Sequence, residues 1–186
     1  MISTSDFRKG KRIEYKDAPH EILDFQHHKM GRGGAIVRTK LKNLKTGSIF
    51  EDSFKGGEKF PPADLDERTM QYLYNDGDEY HFMDTENYEQ IPLTAEQLGE
   101  AKKFLKENMM VKILLYSGSP ITVDVPMFVE LAITETDPGF KGDTASGGSK
   151  PALLESGVTV KVPFHLNEGD IIKIDTRTSE YIEKVK

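Results

Sequence analysis

The chain reads Lys29-Met30-Gly31-Arg32-Gly33-Gly34-Ala35 between two runs of strand-forming residues. One guanidinium is flanked there by glycines on both sides. A guanidinium is a planar fork of donors that grips a phosphate through two bonds or stacks on a base. Glycine lets the backbone turn sharply and approach another molecule closely. The chemistry on offer at Arg32 is therefore recognition of an anion or a base; an ordinary hairpin turn has the same spacing. Behind this tip follow Arg38, Lys40, Lys42 and Lys45. The first three lie two residues apart, which on a strand puts them on one face. Such a face suits tracking a phosphate backbone, and a plain solvated face has the same pattern. A third stretch, residues 139–150, is rich in Gly and Ser and carries Gly142-Asp143-Thr144. Loops of this kind on small barrels contact nucleic acid; a flexible linker is the alternative.

Groups that would make or break bonds are harder to find. There is no P-loop, and Gly31-Arg32-Gly33-Gly34 lacks the spacing of a dinucleotide fingerprint and precedes no helix. Neither a nucleophile elbow nor a zinc-binding His-Glu helix motif occurs. His27 and His28 are adjacent on an expected strand, so their side chains point to opposite faces and do not readily share a metal. Asp76, Asp78, Asp84 and Glu86 lack the closing Glu of a calcium loop and read as a solvated face. The chain has 0 cysteines, which excludes disulfides and thiolate zinc sites. A catalytic set assembled from distant residues stays open, but the expectation is a non-enzyme with no catalytic residue, no metal and no diffusible cofactor.

The elements that must position these groups read as short strands. Residues 12–15, 21–26, 35–41 and 48–51 form a first group, in which Ala35, Val37, Thr39 and Leu41 alternate with Ile36, Arg38 and Lys40. That is one buried and one solvated face. Eight residues a side at about 3.3 Å each would carry the tip out by more than about 20 Å. Gly and Pro between Lys55 and Pro62 then end the pattern. In the second region, residues 71–74 and 79–83 flank the hairpin turn Asn75-Asp76-Gly77. Thr94 and Gln97 form a capping box for a helix that places Leu98, Ala101, Phe104 and Leu105 on one side. Strands at 111–116 and 121–125 follow. The third region offers strands at 129–134, 158–163 and 170–175, with a long polar loop after the first. Strands this short and evenly spaced predict an all-β chain of three small barrels in series. The expected domains are 1–63, 64–128 with one short helix, and 129–186.

The 186 residues are 37% hydrophobic and 30% charged, enough apolar material for folded cores. Net charge is −6, but residues 1–63 hold 13 Lys and Arg against 8 Asp and Glu, residues 64–128 hold 5 against 13, and residues 129–186 hold 7 against 10. A basic first third on an acidic body steers one end toward polyanions, or serves solubility alone. The start, Met1-Ile2-Ser3-Thr4-Ser5-Asp6-Phe7-Arg8, lacks a signal-peptide pattern, and no apolar run approaches the roughly 20 residues that span a bilayer. A soluble cytoplasmic protein with no membrane partner is expected.

Taken together, Gly31 to Leu44, Tyr72-Leu73-Tyr74-Asn75-Asp76-Gly77, and Asp137-Pro138-Gly139-Phe140-Lys141-Gly142-Asp143-Thr144-Ala145 resemble the bacterial elongation factor P family. So do Lys150-Pro151-Ala152, Gly157, Val160, Val162-Pro163, Leu166 and Gly169, and the closing residues 175–181. The resemblance spans essentially the whole chain. It implies a KOW/SH3-like barrel followed by two OB-fold barrels in a tRNA-like overall shape. It implies a monomeric translation factor that binds the 70S ribosome between the P and E sites and stimulates peptide-bond formation at stalled polyproline sequences. Partners would be P-site peptidyl-tRNA, rRNA and mRNA. Arg32, on a tip loop of Lys29, Met30, Gly31, Gly33 and Gly34, would reach toward the CCA end of that tRNA. Arg38, Lys40 and Lys42 would bind tRNA or rRNA, and Gly142, Asp143 and Thr144 would approach the E-site codon. Many members instead carry a β-lysylated Lys at the tip, with Pro before the glycine. Here Arg32 offers no lysine amine, and Met30 stands before the glycine. In a subset with an arginine tip, that residue carries a covalent rhamnose added by a dedicated arginine rhamnosyltransferase. Arg32 is thus expected to be rhamnosylated or unmodified. An elongation-factor-P-like paralogue, a generic OB-fold RNA-binding protein and an RNA-processing enzyme are the rival readings.

Overall fold

The structure, a computed structural model, describes residues 1–139 and 148–185. The fold is all-β, with sheets curled into barrels and one short helix. The chain divides into two compact units, Met1–Glu67 with Leu114–Thr122, and Arg68–Ile113 with the chain from Val123 onward.

The first unit holds β1 (Ile2–Ser3), β2 (Arg12–Tyr15), β3 (Ala18–Met30), β4 (Gly34–Asn43), β5 (Ile49–Lys55) and β6 (Lys59–Phe60). A four-stranded sheet runs β2-β3-β4-β5, and β1 pairs with β6. The edge strands β2 and β5 meet through the Tyr15 hydroxyl, which donates to Asp52, and through the edge-to-face rings of Tyr15 and Phe54 at 5.2 Å. That contact turns an open sheet into a barrel. Burial, and then the Asp52 carboxylate, push the Tyr15 phenol up to about 12. Inside lie Phe7, Ile13, Ile22, Val37, Leu41, Phe54 and Phe60. The Gly-Pro stretch after β5 belongs to this core, because Phe60 is 6% exposed and packs on Phe54 with ring centroids 4.7 Å apart.

Next come β7 (Leu65–Asn75), β8 (Glu79–Asp84), β9 (Gln90–Thr94), α1 (Ala95–Leu98), β10 (Met110–Tyr116) and β11 (Ser119–Asp124). Their sheet runs β11-β10-β7-β8-β9. The expected capping box is present: Thr94 Oγ1 accepts from the Gln97 amide at 3.2 Å, and Gln97 Oε1 accepts from the Thr94 amide at 2.9 Å. The helix is shorter than its apolar pattern suggests. Gly99 takes φ 56 and ends the α-helix, and Gly99–Phe104 continues as a 3-10 helix. Leu98, Ala101, Phe104 and Leu105 are nevertheless all buried.

The last sheet contains β12 (Phe128–Thr136), β13 (Ser149–Leu154), β14 (Thr159–Pro163), β15 (Ile171–Asp175) and β16 (Glu180–Lys184). Its order is β14-β13-β12-β15-β16, and β14 and β16 approach one another to close it. Leu131, Val162, Leu166, Ile172 and Ile174 are fully buried in its core. Among the described residues no helix is long and apolar enough to cross a membrane.

Candidate nucleic-acid interface

β3 and β4 pair antiparallel from His20↔Asn43 out to Met30↔Gly34. Gly31, Arg32 and Gly33 form the turn. Gly34 holds φ 81, and a Cβ there would meet nothing within 4 Å. The glycine is demanded by its backbone angle, not by crowding. Lys29 and Arg32 are exposed, and among the described residues neither makes an ion pair.

The finger is shorter than its strands suggest. β5 backs β4 from Lys42↔Ile49 up to Ile36↔Lys55. The Gly56 amide donates to the Ala35 carbonyl at 2.8 Å. A Cβ at Gly56 would lie 2.9 Å from that of Ala35, so only glycine allows this approach without a shift. Val37, level with His27 and Phe54, is 0% exposed. The core therefore rises to that row. What stands above the core is three rungs, His28↔Ile36 to Met30↔Gly34, the lower two still backed by Lys55 and Gly56, and the turn. At about 3.3 Å per residue these rungs reach about 10 Å, roughly half the expected projection. The third strand accounts for the difference, and it also stiffens the base of the tip. Gly56, which in the sequence only ends the strand pattern, is a supporting residue that the register reveals.

The outer face of β4 carries Arg38 and Lys40, both exposed, and Lys42, half-buried, while Val37, Thr39 and Leu41 face inward. The alternation is as expected, but the face is not simply basic. Arg38 is held by Glu51, with Nη2–Oε2 at 3.0 Å and Nε–Oε2 at 3.1 Å. Lys40 stands in register between Asp24 and Glu51, and Lys42 opposite Glu21. Asp24 also faces Lys9 at 3.7 Å, and Glu21 faces Arg12 at 3.9 Å. Exposed pairs like these contribute about 0.2–1 kcal/mol each, so an arriving phosphate can displace them. Asp24, Phe25, Gln26, Arg38, Lys40 and Glu51 line a shallow depression of about 280 Å³ on this face. Lys45 does not belong to it. It lies in the turn after β4, where Asn43 Oδ1 accepts from its amide at 2.8 Å, and its ammonium sits 5.0 Å from the Tyr116 ring centroid.

His27 and His28 are exposed on opposite faces of β3, and His27 packs edge-on against Phe25 at 5.6 Å. The acidic residues after β7 are engaged locally. Asp76 accepts from the amides of Asp78 and Glu79 at 3.0 and 2.8 Å and from His81 at 2.9 Å. These bonds, the His81 one foremost, hold its carboxyl at about 2. Asp84 is buried and accepts from the Glu86 amide at 2.8 Å and from Arg68 at 3.2 Å. Among the described residues no group of three or more His, Asp or Glu converges on a metal position. Gly142, Asp143 and Thr144 lie outside the described residues.

Family models describe the chain from end to end. The elongation factor P KOW-like domain matches residues 3–60, the elongation factor P OB domain residues 65–123, and the elongation factor P C-terminal domain residues 129–184. Elongation factor P of Thermodesulfovibrio yellowstonii is 59% identical over 186 residues, covering 100% of both chains. That of Clostridioides difficile is 56% identical over 185 residues, again covering 100% of both. Among solved structures, a eukaryotic translation initiation factor 5A from Methanococcus jannaschii superposes with a TM-score of 0.53 at 22% identity, over 67% of this chain and 90% of that one. A translation initiation factor eif-5a family protein from Naegleria fowleri does so with a TM-score of 0.55 at 17% identity, over 67% and 96%. These two show a shared fold.

Proposed function

Because the chain belongs to the elongation factor P family, we propose that it binds the 70S ribosome between the P and E sites and speeds peptide-bond formation at stalled polyproline sequences. The observation that carries this reading is the placement of Arg32: an exposed guanidinium, with no ion pair among the described residues, on a glycine-flanked turn beyond the last buried residue of β4.

Proline is restricted at its backbone and reacts slowly as a nucleophile. A bound factor helps without making or breaking a bond itself. It holds the acceptor end of the P-site tRNA in a reactive pose, which converts lost freedom into rate. Arg32 does this through charge-assisted contacts to the tRNA backbone, and Arg38, Lys40 and Lys42 meet tRNA or rRNA phosphates nearer the barrel. In this reading residues 1–63 carry the tip, residues 64–128 form an acidic spacer that avoids bulk RNA, and residues 129–186 bring Gly142, Asp143 and Thr144 to the E-site codon in the cytoplasmic ribosome. A rhamnose on Arg32, added by an arginine rhamnosyltransferase, lengthens the reach of the tip and adds hydroxyl donors.

The test is Arg32→Ala in a translation assay on ribosomes stalled at consecutive prolines. The variant should lose the rescue while keeping its fold, because the turn is exposed. Wild-type rescue by this variant rules the assignment out. Intact mass of the protein from its native host reads the modification, and an unshifted mass removes the sugar from the proposal.

A further inference from the structure

Two glycines join β5 to β6, and each is there for its own reason. Gly57 holds φ 84, and a Cβ there would meet nothing within 4 Å. Gly56 lies outside the left-handed region, and what it needs is space: a Cβ would stand 2.9 Å from that of Ala35 and 3.3 Å from the Ala35 carbonyl oxygen. The turn thus leans on the finger at Ala35, which is in register with Lys29 and adjoins Gly34. Support comes from this flank alone. β3 has only β2 and β4 as neighbours, and β2 backs it only over Ala18 to Glu21, at the foot of the barrel.

The other side of the same turn is tied to the core. Thr4 is a buried polar residue, 1% exposed. Its Oγ1 accepts from the Gly57 amide at 2.8 Å, and its own amide donates to the Glu58 carbonyl at 3.0 Å. Thr4 is fixed in its turn by the pairing of Ile2 with Phe60 and Ser3 with Lys59, and Phe60 lies in the first core. Within the turn the Glu58 carboxylate accepts from the Lys55 amide at 3.1 Å, and the Glu58 amide donates to the Lys55 carbonyl at 3.1 Å. A buried amide that loses its acceptor carries the full cost of desolvation, so the turn has little freedom to leave Thr4.

We propose that Thr4 and Gly56 are positioning residues for Arg32, an inference that rests on the reading given under Proposed function. The turn between β5 and β6 is a strut: it hangs on Thr4 at one end and presses on Ala35 at the other, three residues short of Arg32 in the chain. It closes one side of the finger to movement and so sets the line along which the guanidinium is presented. The aim of the tip is fixed from the first turn of the barrel, far from the tip in sequence.

Two measurements on the full chain separate the strut from that reading. Amide hydrogen exchange is followed in Thr4→Val, which keeps the shape of the side chain and removes the acceptor, in Gly56→Ala, in Ala35→Gly, and in Gly56→Ala with Ala35→Gly. Thr4→Val should speed exchange at Gly57, and Gly56→Ala exchange at position 56, each about tenfold or more, with the amides of Ile22 and Leu41 unchanged. Adding Ala35→Gly to Gly56→Ala removes the Cβ that is struck, and should return position 56 to its rate in Ala35→Gly alone. Unchanged exchange in Thr4→Val and Gly56→Ala, or no relief from Ala35→Gly, overturns the strut. Rescue of stalled ribosomes is then titrated with each protein. Thr4→Val and Gly56→Ala should lower the rate at saturating factor about tenfold, because a tip held off line costs rate after docking. The half-saturating concentration should stay within about twofold, and Ala35→Gly should recover the rate lost by Gly56→Ala. A parental rate from a loosened strut, or a loss confined to the half-saturating concentration, overturns the positioning role. If Arg32→Ala, run alongside, rescues as the parent does, the reading of Arg32 fails and takes the positioning role with it, while the exchange result still decides the strut.

Discussion

Val37 is the last fully buried residue of β4 beneath the tip, in register with the exposed His27 and with buried Phe54, and is itself 0% exposed. Val37→Ala deletes two methyl groups from that position. At about 0.8 kcal/mol for each buried carbon of this size, the transfer loss is about 1.6 kcal/mol. If the neighbours do not collapse, a void of about 40 Å³ at ~24 cal/mol per Å³ adds about 1 kcal/mol. Phe7 and Phe54 pack edge to face at 6.2 Å and resist collapse, so a total of about 2–3 kcal/mol is expected. The chain has 0 tryptophans, so denaturant-dependent amide exchange is the better assay. It reads the amides of Ile22 and Leu41 in the first unit and those of Leu131 and Ile172 in the second. The first pair should lose about 2–3 kcal/mol and the second pair less than about 0.5 kcal/mol. A loss below about 1 kcal/mol in the first unit, or an equal loss in both, refutes the assignment of this residue as the tip's foundation. With a margin of about 5 kcal/mol or more, the first unit stays folded in the variant. Any drop in rescue then reports a misaimed Arg32 and not missing protein.

Two further outcomes follow from local chemistry in the second unit. Thr94→Ala removes the acceptor for the Gln97 amide and should cost about 1 kcal/mol, visible as faster exchange at Gln97, whereas an unchanged rate there contradicts the capping role. Acid should also destabilise this unit. His81 and backbone amides hold Asp76 at about 2, the Glu86 amide leads the lowering of Asp84, and the Arg177 guanidinium leads that of Asp175. Carboxyls depressed in the folded state add stability that is complete above their ordinary pKa of about 4 and is lost as pH falls through the folded values. Stability of the second unit should therefore fall between about pH 4 and about pH 2, and Asp76→Asn should flatten part of that limb. A denaturation midpoint that stays level across the window contradicts the sign.

Much of this molecule is legible from residue order, and the exceptions have reasons. β4 declares itself because Val37, Thr39 and Leu41 alternate with Arg38 and Lys40, a period only a half-buried strand produces. The capping box at Thr94 is equally local. Five strands, β1, β6, β9, β13 and β16, escape such a reading; β9 and β13 do so because Pro92 and Pro151 lack the ladder donor and demote a strand pattern. β9 accommodates its proline at the edge of its sheet. The helix after Thr94 buries the expected side but stops early, since nothing local announces that Gly99 adopts a positive φ. At the interface, Arg32 and its glycines are visible in order alone. The support from Gly56 is not, because it depends on the register of a strand that begins at Ile49. The same register places Glu51 beside Arg38, thirteen residues away, which is why a strip of cations in the sequence folds into a face of mixed sign.

That mixed sign changes what binding costs. A phosphate arriving at Arg38 takes the place of Glu51, a resident carboxylate, and not of a mobile ion from solution. In the proposed RNA-binding role, the cation shed by each phosphate would be offset by one taken up at the freed carboxylate, so affinity on this face would respond less steeply to ionic strength than its count of cations implies. Loose polyanions gain little there, because they offer no better oxygens than the ones already present. In the proposed role, a rigid backbone that presents several phosphates in the spacing of the strands would displace the carboxylates together, whereas random RNA would not.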